Sequence, residues 1–373
     1  MIYNKEVRVA VNAVRRASIL TAKIQKQIIA NRSSTTITKS DESPVTIADY
    51  AAQAIVLNAI KANFPQDEIV AEESTEGLSE SFLNNILSTI NEYAPKEDDE
   101  TLFNEDIPLS NSEYPLKTTN DVQNIINLGN SKGGAKTRFW CLDPIDGTKG
   151  FLRGEQFAVC LALIEDGEVK LGCIGCPNLK LNDYVTKDNS LGVANPLNRS
   201  FHDPAEFGYI FYAIAEEDHL SYLHTTDLLS GSLKSVAANE FTVSASENLV
   251  SLEGVEKGHS SHDNQQIIKD HFHINQSLHL DSQVKYCLLV LGLGHVYLRL
   301  PTSMTFEEKI WDHAAGNALI RAVRGNHTSS LSAEPLDFSQ GRTLKTKGVI
   351  ASIATPELHK DIVSFAESVI NRV

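Results

Sequence analysis

The sequence predicts a layered α/β or α+β fold, and three observations support this class. Long segments with apolar residues at helical spacing alternate with short apolar runs typical of buried strands. The two types do not follow each other in regular βαβ order, which favours packed layers over a single parallel sheet. With 373 residues, 42% of them hydrophobic, the chain is long enough for one large core or two domains.

The first quarter of the chain reads as two helices, a loop and a strand. Residues 5–30 carry an apolar stripe at helical spacing, and the polar segment 31–44 reads as a mobile loop. A second helix is predicted through residues 52–60 and ends near Asn63. The short apolar run 69–71 then predicts a strand with Glu72 and Glu73 at its end.

The central part predicts strands around a hairpin. Residues 92–137 are polar and are expected to form loops. Residues 139–142 form an apolar strand that should stop at Pro144, since proline donates no ladder hydrogen bond. The apolar runs 157–164 and 169–176 flank Asp166-Gly167, which is a hairpin signal.

The last third of the chain returns to mixed elements, after a stretch from about 180 to 235 that is poor in motifs. We expect a buried helix over 284–293, a strand over 296–300 and a helix over 311–323. Two domains are predicted, an N-terminal α+β domain over residues 1–200 and a C-terminal α/β domain over 201–373.

Composition excludes several classes of function. A formal net charge of −15 argues against sequence-independent nucleic-acid binding. No apolar stretch approaches the length of a membrane span, and the N-terminus lacks the pattern of a signal peptide. Five cysteines in a large chain favour reduced thiols and a cytoplasmic location. The Cys173–Cys176 pair has the spacing of half a zinc site, but no second half completes it, so a structural role is expected.

The segment 139–151, Phe-Trp-Cys-Leu-Asp-Pro-Ile-Asp-Gly-Thr-Lys-Gly-Phe, carries the strongest chemical signal. Asp143 and Asp146 lie three residues apart at a strand end, followed by Gly147 and Thr148. Hard cations such as Mg²⁺ prefer carboxylate oxygens together with substrate phosphate. Asp-Pro followed by Asp-Gly is also ordinary turn chemistry, so this segment alone would not establish a site.

Further acids stand at the ends of other predicted elements. Asp49 opens the second helix, Glu72 ends a strand, and Asp312 lies in the first turn of the late helix. Each alone could be a solvated cap or a favourable partner of a helix dipole. Together with Asp143 and Asp146 they suggest a site for metal-dependent phosphoryl transfer.

The order of these motifs resembles the inositol monophosphatase-like, lithium-sensitive phosphatase superfamily. The matching segments are Thr46-Ile-Ala-Asp49, Glu72-Glu73, Asp143-Pro-Ile-Asp-Gly-Thr148 and Trp311-Asp-His-Ala-Ala-Gly316. Segments 43–53, 140–163, 252–262 and 278–285 are similar to the fungal 3′(2′),5′-bisphosphate nucleotidases, over nearly the whole chain. The resemblance implies an αβαβα sandwich. It also implies removal of the 3′-phosphate from adenosine 3′,5′-bisphosphate (PAP) to give AMP, with activity on the sulfated nucleotide PAPS.

The resemblance also implies roles for individual residues. Two to three Mg²⁺ ions are expected, with metal ligands at Glu72, Asp143, the Ile145 carbonyl, Asp146 and Asp312. Asp49 and Thr148 would form the hydrogen-bonded catalytic pair that takes a proton from the attacking water. Substrate would contact Asp146, Gly147, Thr148, His259, Ser282, Lys285 and Arg299. His259 could instead be a plain surface histidine, and Arg299 a solvated residue on an alternating strand.

The same resemblance implies the setting of the enzyme. It predicts sensitivity to lithium and sodium and a role in sulfate assimilation and salt tolerance. We further expect a cytoplasmic monomer that binds a small nucleotide and neither nucleic acid nor membrane.

The chain departs from the family pattern in two regions. Around Ala322, Arg324 and Ser329 a charged residue replaces a glycine and an acid is missing, and a glycine-containing turn is lost around 212–216. These changes could alter the nucleoside pocket. Two alternatives stay open, an inositol polyphosphate 1-phosphatase-like enzyme and a paralogue that binds PAP without hydrolysing it.

Overall fold

A computed structural model describes residues 2–31, 36–38, 44–95, 107–185, 203, 206–224, 234–246, 248–256, 258 and 260–371. The helices are α1 Asn4–Asn31, α2 Ile47–Asn63, α3 Glu80–Tyr93, α4 Thr119–Asn127, α5 Thr148–Arg153, α6 His262–His271, α7 Val284–Val290, α8 Ala314–Ala322 and α9 Pro356–Ile370. The first strands are β1 Thr36–Thr38, β2 Pro44–Thr46, β3 Glu68–Ala71, β4 Arg138–Asp146, β5 Ala158–Glu165, β6 Glu168–Cys176 and β7 Tyr209–Ile214. The remaining strands are β8 His219–His224, β9 Lys234–Ala237, β10 Val250–Glu253, β11 Gln276–His279, β12 Val296–Arg299, β13 Asn326–Ser329 and β14 Val349–Ser352.

The larger sheet has seven strands in the order β3-β4-β5-β6-β7-β8-β9. All neighbours are antiparallel except β3 and β4, which run parallel and therefore end at the same edge. Successive residues of β4 enter opposite cores: Phe139 and Cys141 join one, Trp140 and Leu142 the other. Both faces of this sheet are therefore covered, which explains why β4 and β5 read as continuous apolar runs.

Five layers follow from these contacts. Helices α1 and α2 share one core with the outer face of the seven-stranded sheet. Helices α7 and α8 fill the core between that sheet and a five-stranded sheet of order β11-β10-β12-β14-β13. Helices α6 and α9 cover the far face of the second sheet. The predicted αβαβα sandwich is confirmed.

Three sequence expectations about local structure are wrong. β4 does not stop at Pro144 but runs to Asp146, with a register shift between Asp143 and Asp146 against β5. An extra residue in such a bulge opposes no partner, so a proline is tolerated there. The segment 92–137 contains α4. Within the expected loop 31–44, residues 36–38 form β1, which pairs with β2 at residues 44–46, and residues 32–35 and 39–43 lie outside the described residues.

The seven-stranded sheet continues past residue 200. Strands β7, β8 and β9, between Tyr209 and Ala237, extend the sheet that begins in the N-terminal part, whereas the second sheet begins with β10 at Val250. A division into domains at residue 200 stays a prediction.

The cysteines lie in the hydrophobic cores, where structural thiols are expected. All five cysteines are free and buried, and Cys173 lies in the core beneath α1 and α2 while Cys176 lies in the core between the sheets. The Cys176 and Cys287 sulfurs are 3.7 Å apart. Among the described residues, no helix is both long enough and apolar enough to cross a bilayer.

Candidate active site

The end of β4 places the two aspartates of the opening motif. The Asp143 carboxylate is 2% exposed and accepts a hydrogen bond from the Ile145 backbone N–H at 3.1 Å. Because the bulge adds a residue between the two acids, Asp146 follows Asp143 without the strict alternation of a regular strand. Asp146 accepts a hydrogen bond from the backbone N–H of Gln283, at the start of α7.

Gly147 links β4 to α5 in a conformation that suits glycine. Its φ is +87°, in the left-handed region, and a Cβ at this position would lie 3.1 Å from the Cβ of Ser282. Thr148 begins α5, and its hydroxyl donates to the Ile145 carbonyl at 3.3 Å. Ser282 itself has a φ of +68°, a strained value of the kind that occurs at functional sites.

Glu72 lies at the matching edge of the neighbouring strand. In the parallel pairing of β3 and β4, Ala71 stands opposite Leu142, and the Glu72 N–H donates to the Leu142 carbonyl at 3.3 Å. One residue further, both backbone groups of Glu73 bond to the side chain of Gln53 from α2. The strand end that carries Glu72 is therefore fixed to the strand that carries Asp143.

Asp49 lies in the first turn of α2 as the sequence predicts. Its carboxylate completes a capping box by accepting from the backbone N–H of Thr46 at 2.7 Å and from the Thr46 hydroxyl at 2.6 Å. The side chain is 1% exposed. The hydrogen bond expected between Asp49 and Thr148 stays a prediction.

Asp312 lies in a short 3-10 turn, Ile310–Asp312, just before α8 rather than inside that helix. Its carboxylate pairs with the Arg299 guanidinium at 3.1 Å, and the same nitrogen of Arg299 lies 2.7 Å from the buried carboxylate of Glu308. Burial opposes ionisation of Glu308, but Arg299 and His313 outweigh it and lower the pKa of Glu308 to about 2. The positive charge of Arg299 is therefore balanced by two carboxylates, those of Asp312 and Glu308.

Four other acids lie close enough to Asp143 to act on its charge. Burial raises the pKa of Asp143 well above its ordinary value, and the charges of Glu72, Asp146, Asp312 and Asp49 raise it further. Like charges gathered in a poorly solvated place disfavour ionisation. Asp143 is therefore within electrostatic reach of the other four acids inferred from the motifs.

The pKa of Asp146 depends on the same acids and on two positively charged side chains, Lys285 and Arg299. Burial and the Asp312 carboxylate raise its pKa, whereas Lys285, Arg299 and the Gln283 N–H lower it, and the balance is a pKa of about 7. The acids are only partly neutralised by these side chains. A bound cation would relieve the remaining repulsion, as protonation of a carboxyl does.

This donor set fits hard divalent cations. It offers several carboxylate oxygens and the Ile145 carbonyl at the ends of two adjacent strands, which is the chemistry that Mg²⁺ prefers. Among the described residues, the group whose ligand atoms all lie within 4.8 Å of one another is Glu308 with Asp312 and His313. Arg299 supplies positive charge to both carboxylates of this group, and Asp312 is shared with the five acids.

The residues expected to contact the nucleotide lie beside this cluster, with one exception. Lys285 is buried, and its ammonium donates to the carbonyls of Leu280 at 3.0 Å and Ser282 at 2.7 Å. Burial lowers the pKa of Lys285 to about 8, against the opposing pull of Asp146. His259 falls outside the described residues.

Two positioning groups escaped the sequence prediction. The side chain of Gln283 donates to the Trp311 carbonyl at 2.8 Å and accepts from the Gly316 N–H at 3.0 Å, which ties the Asp312 turn to α7. Glu308 holds Arg299 as described above. Gln283 stands among the polar residues Asp281, Ser282 and Lys285, so no local sequence signal marks it.

The two departures from the family pattern meet on the surface. Arg324 follows α8 with a φ of +58°, and its guanidinium pairs with Asp218, in the turn between β7 and β8. The segment 212–216 covers the end of β7 and the first residues of the same turn. Arg324 and Asp218 are both exposed, so this contact contributes little to stability.

Comparisons with known proteins agree with this architecture. A model described as the inositol monophosphatase family matches residues 4–371. A curated protein of Candida albicans, named 3′(2′),5′-bisphosphate nucleotidase 2, is 46% identical over 356 residues, covering 94% of this chain and 93% of the relative. The 3′(2′),5′-bisphosphate nucleotidase of Emericella nidulans is 40% identical and covers 99% of both chains.

Solved structures give the same fold at low sequence identity. The IMPase of Thermotoga maritima superposes with a TM-score of 0.54 at 17% identity, covering 99% of each chain. At this identity the likeness concerns the fold alone.

Proposed function

This chain belongs to the inositol monophosphatase family, and on that premise we propose that it removes the 3′-phosphate of PAP to give AMP. The curated fungal relatives named 3′(2′),5′-bisphosphate nucleotidase, at 40–46% identity, support this choice within the family. The observation that carries the proposal is the convergence of five carboxylates at the shared edge of β3 and β4. The sulfated nucleotide PAPS is proposed as a second substrate.

Two to three Mg²⁺ ions are proposed as the cofactors. Glu72, Asp143 and the Ile145 carbonyl would hold one ion, and Asp143, Asp146 and Asp312 a second. When bound, such ions lower the pKa of water and neutralise the charge that develops on phosphate. The bulge in β4 supports this assignment because its extra residue removes the strict alternation that would put Asp143 and Asp146 on opposite faces of the strand.

Asp49 and Thr148 are proposed as the pair that accepts a proton from the attacking water. A threonine hydroxyl is a poor base alone, so it needs a carboxylate to receive its own proton. Asp49 is buried, and its capping bonds to Thr46 hold the carboxylate in place. The Thr148 hydroxyl would exchange its present bond to the Ile145 carbonyl for one to Asp49.

The substrate would be oriented by groups on both sides of the cluster. The backbone amides of Gly147 and Thr148 would meet the scissile phosphate, together with Asp146, and His259, Ser282, Lys285 and Arg299 would contact the nucleotide. Lys285 offers a point charge, whereas the planar guanidinium of Arg299 can bind the 5′-phosphate through two parallel hydrogen bonds. Glu308 supports the second role because it orients that guanidinium.

The physiological setting is part of the same proposal. We place the enzyme in the cytoplasm as a monomer that is inhibited by lithium and sodium and acts in sulfate assimilation and salt tolerance. Phosphate release from PAP should fall when tens of millimolar LiCl is added. Unchanged activity in LiCl would remove the lithium part of the proposal and leave the nucleotidase reaction standing.

A comparison of substrates tests the reaction itself. The purified protein with Mg²⁺ should release phosphate from PAP much faster than from inositol 1,4-bisphosphate. The reverse preference would assign an inositol polyphosphate 1-phosphatase activity instead. Tight PAP binding in calorimetry without phosphate release would identify a non-catalytic nucleotide-binding protein.

A further inference from the structure

Arg342 connects the two ends of the acidic cluster. Its segment runs beside the one that leads to Asp312, with an isolated bridge between Lys309 and Thr343. The Ile310 N–H donates to the Arg342 carbonyl at 3.2 Å. The Arg342 backbone is thus bonded to Ile310, which stands two residues before Asp312 in the sequence.

The Arg342 side chain reaches the strand end that carries Glu72. One terminal nitrogen donates to the Ala71 carbonyl at 2.5 Å, and the other donates to the carbonyls of Gly129 and Ser131, each at 3.1 Å. Ala71 is the residue directly before Glu72, and its own N–H donates to the Gly129 carbonyl at 2.8 Å. Arg342 therefore closes a small ring of backbone hydrogen bonds around the base of Glu72.

The face of the same guanidinium packs on Trp311. The central carbon of the guanidinium lies 4.8 Å from the centroid of the Trp311 ring, and Trp311 directly precedes Asp312. A guanidinium can donate in its plane and stack on its face at the same time, which a lysine ammonium cannot do. One side chain thus contacts both residues that precede the expected metal ligands.

We propose that Arg342 is a positioning residue that sets the separation of Glu72 and Asp312 for binding divalent cations. This inference rests on the proposed function, because the cations concerned are those assigned to the five-acid cluster. Arg299 contacts Asp312 through an ion pair that competes with a cation, whereas the bonds of Arg342 go to neutral carbonyls. The hydrogen bonds of Arg342 can therefore fix the geometry through the backbone, while its charge also attracts the Glu72 carboxylate.

Two substitutions and a matched control test the assignment. Arg342→Met removes all three hydrogen bonds, and Arg342→Lys keeps the charge but loses the fork and the stacking. Arg321→Met serves as the control, since Arg321 also donates to a backbone carbonyl, that of Val169, and lies on α8 away from the acids. Titration calorimetry of metal-free protein with MgCl₂ gives the affinity for Mg²⁺ independently of activity, and PAP kinetics give KM at saturating Mg²⁺.

The expected result separates metal binding from substrate binding. Loss of a group that orients metal ligands lowers metal affinity by about tenfold or more, so Arg342→Met should bind Mg²⁺ at least about tenfold more weakly and Arg342→Lys about threefold more weakly. KM for PAP at saturating Mg²⁺ should stay within about twofold for both variants, and Arg321→Met should keep the Mg²⁺ affinity of the wild type.

Several outcomes would overturn the proposal. Wild-type Mg²⁺ affinity in a folded Arg342→Met or Arg342→Lys protein contradicts it, as does an equal loss in Arg321→Met, which would indicate general destabilisation. If Arg342→Met does not fold, the expected threefold loss of Mg²⁺ affinity in Arg342→Lys tests the proposal. Wild-type protein that binds Mg²⁺ but does not hydrolyse PAP would refute the proposed function while the calorimetric comparison still tests Arg342.

Discussion

Replacing Asp146 by asparagine should stabilise the metal-free protein. In the folded protein burial and Asp312 raise the pKa of Asp146 from 3.8 to about 7. Asparagine keeps an oxygen that can accept the hydrogen bond from the Gln283 N–H, but it carries no charge to be repelled. Asp146→Asn therefore removes an electrostatic cost and leaves the backbone contact in place.

The size and pH dependence of this effect follow from the pKa difference. About three pH units separate the folded and unfolded pKa values, and at about 1.4 kcal/mol per unit the folded state pays on the order of 4 kcal/mol to ionise Asp146 at pH 8. Between pH 4 and pH 7 the folded wild type binds more protons than the unfolded chain, so its stability falls as pH rises. The advantage of the variant should grow over the same interval and vanish near pH 4.

Urea unfolding in EDTA measures this difference, with Asp361→Asn as the control. Asp361 is exposed on α9, so its replacement should change the free energy of unfolding by less than about 0.5 kcal/mol. Saturating MgCl₂ should shift the difference in the free energy of unfolding in favour of the wild type. Ions that bind only the folded state stabilise it, and the variant lacks one carboxylate that would bind them. An Asp146→Asn protein that is less stable than the wild type in EDTA at pH 8 would refute the reasoning that these acids repel one another.

Three further predictions concern separate parts of the molecule. Glu308→Gln should raise KM for PAP about tenfold while KM for adenosine 3′-monophosphate stays near the wild-type value, since Arg299 loses the partner that orients it toward the 5′-phosphate; equal changes for both substrates would contradict this. Gly147→Ala should lower the free energy of unfolding by about 1–3 kcal/mol in a denaturant titration because its φ is +87° and Ser282 lies close, and an unchanged midpoint would argue against the strain. Burial lowers the pKa of His359 from 6.5 to about 4, so up to about 3 kcal/mol of stability should be lost as pH falls between those values, and His359→Asn should show a correspondingly smaller pH dependence than the wild type.

Much of the candidate site could be predicted because its acids stand at the ends of locally recognisable elements. The apolar runs before Glu72 and Asp143 identify strands, and the helical stripe after Asp49 identifies α2. Parallel strands end at the same edge of a sheet. Once β3 is paired with β4, Glu72 and Asp143 are therefore expected to lie close together.

The bulge in β4 could not be predicted from local residue preferences. Pro144 argues for the end of a strand when β4 is considered alone. The strand continues because β5 pairs with Asp146 beyond the irregularity, and that pairing is a tertiary contact. Local preferences describe only the strand itself, whereas its length is set by its neighbour.

The groups that hold the acids in place were hidden for a similar reason. Arg342 lies 271 residues from the Ala71 carbonyl to which it donates, and no local pattern marks a side chain that binds backbone carbonyls. Glu308 reads as an ordinary charged residue until β12 places Arg299 beside it. Sequence motifs identified the residues expected to do chemistry, and only the packed structure identified those that orient them.

Phosphate release from PAP by wild-type protein and by an Asp143→Ala variant tests the central claim most directly. In Mg²⁺ the wild type should turn over PAP, and turnover should disappear in EDTA. Asp143→Ala should fold, as judged by circular dichroism, and release less than about a thousandth as much phosphate, because it removes the acid that faces the other four. A folded Asp143→Ala protein with a normal steady-state rate would contradict the account.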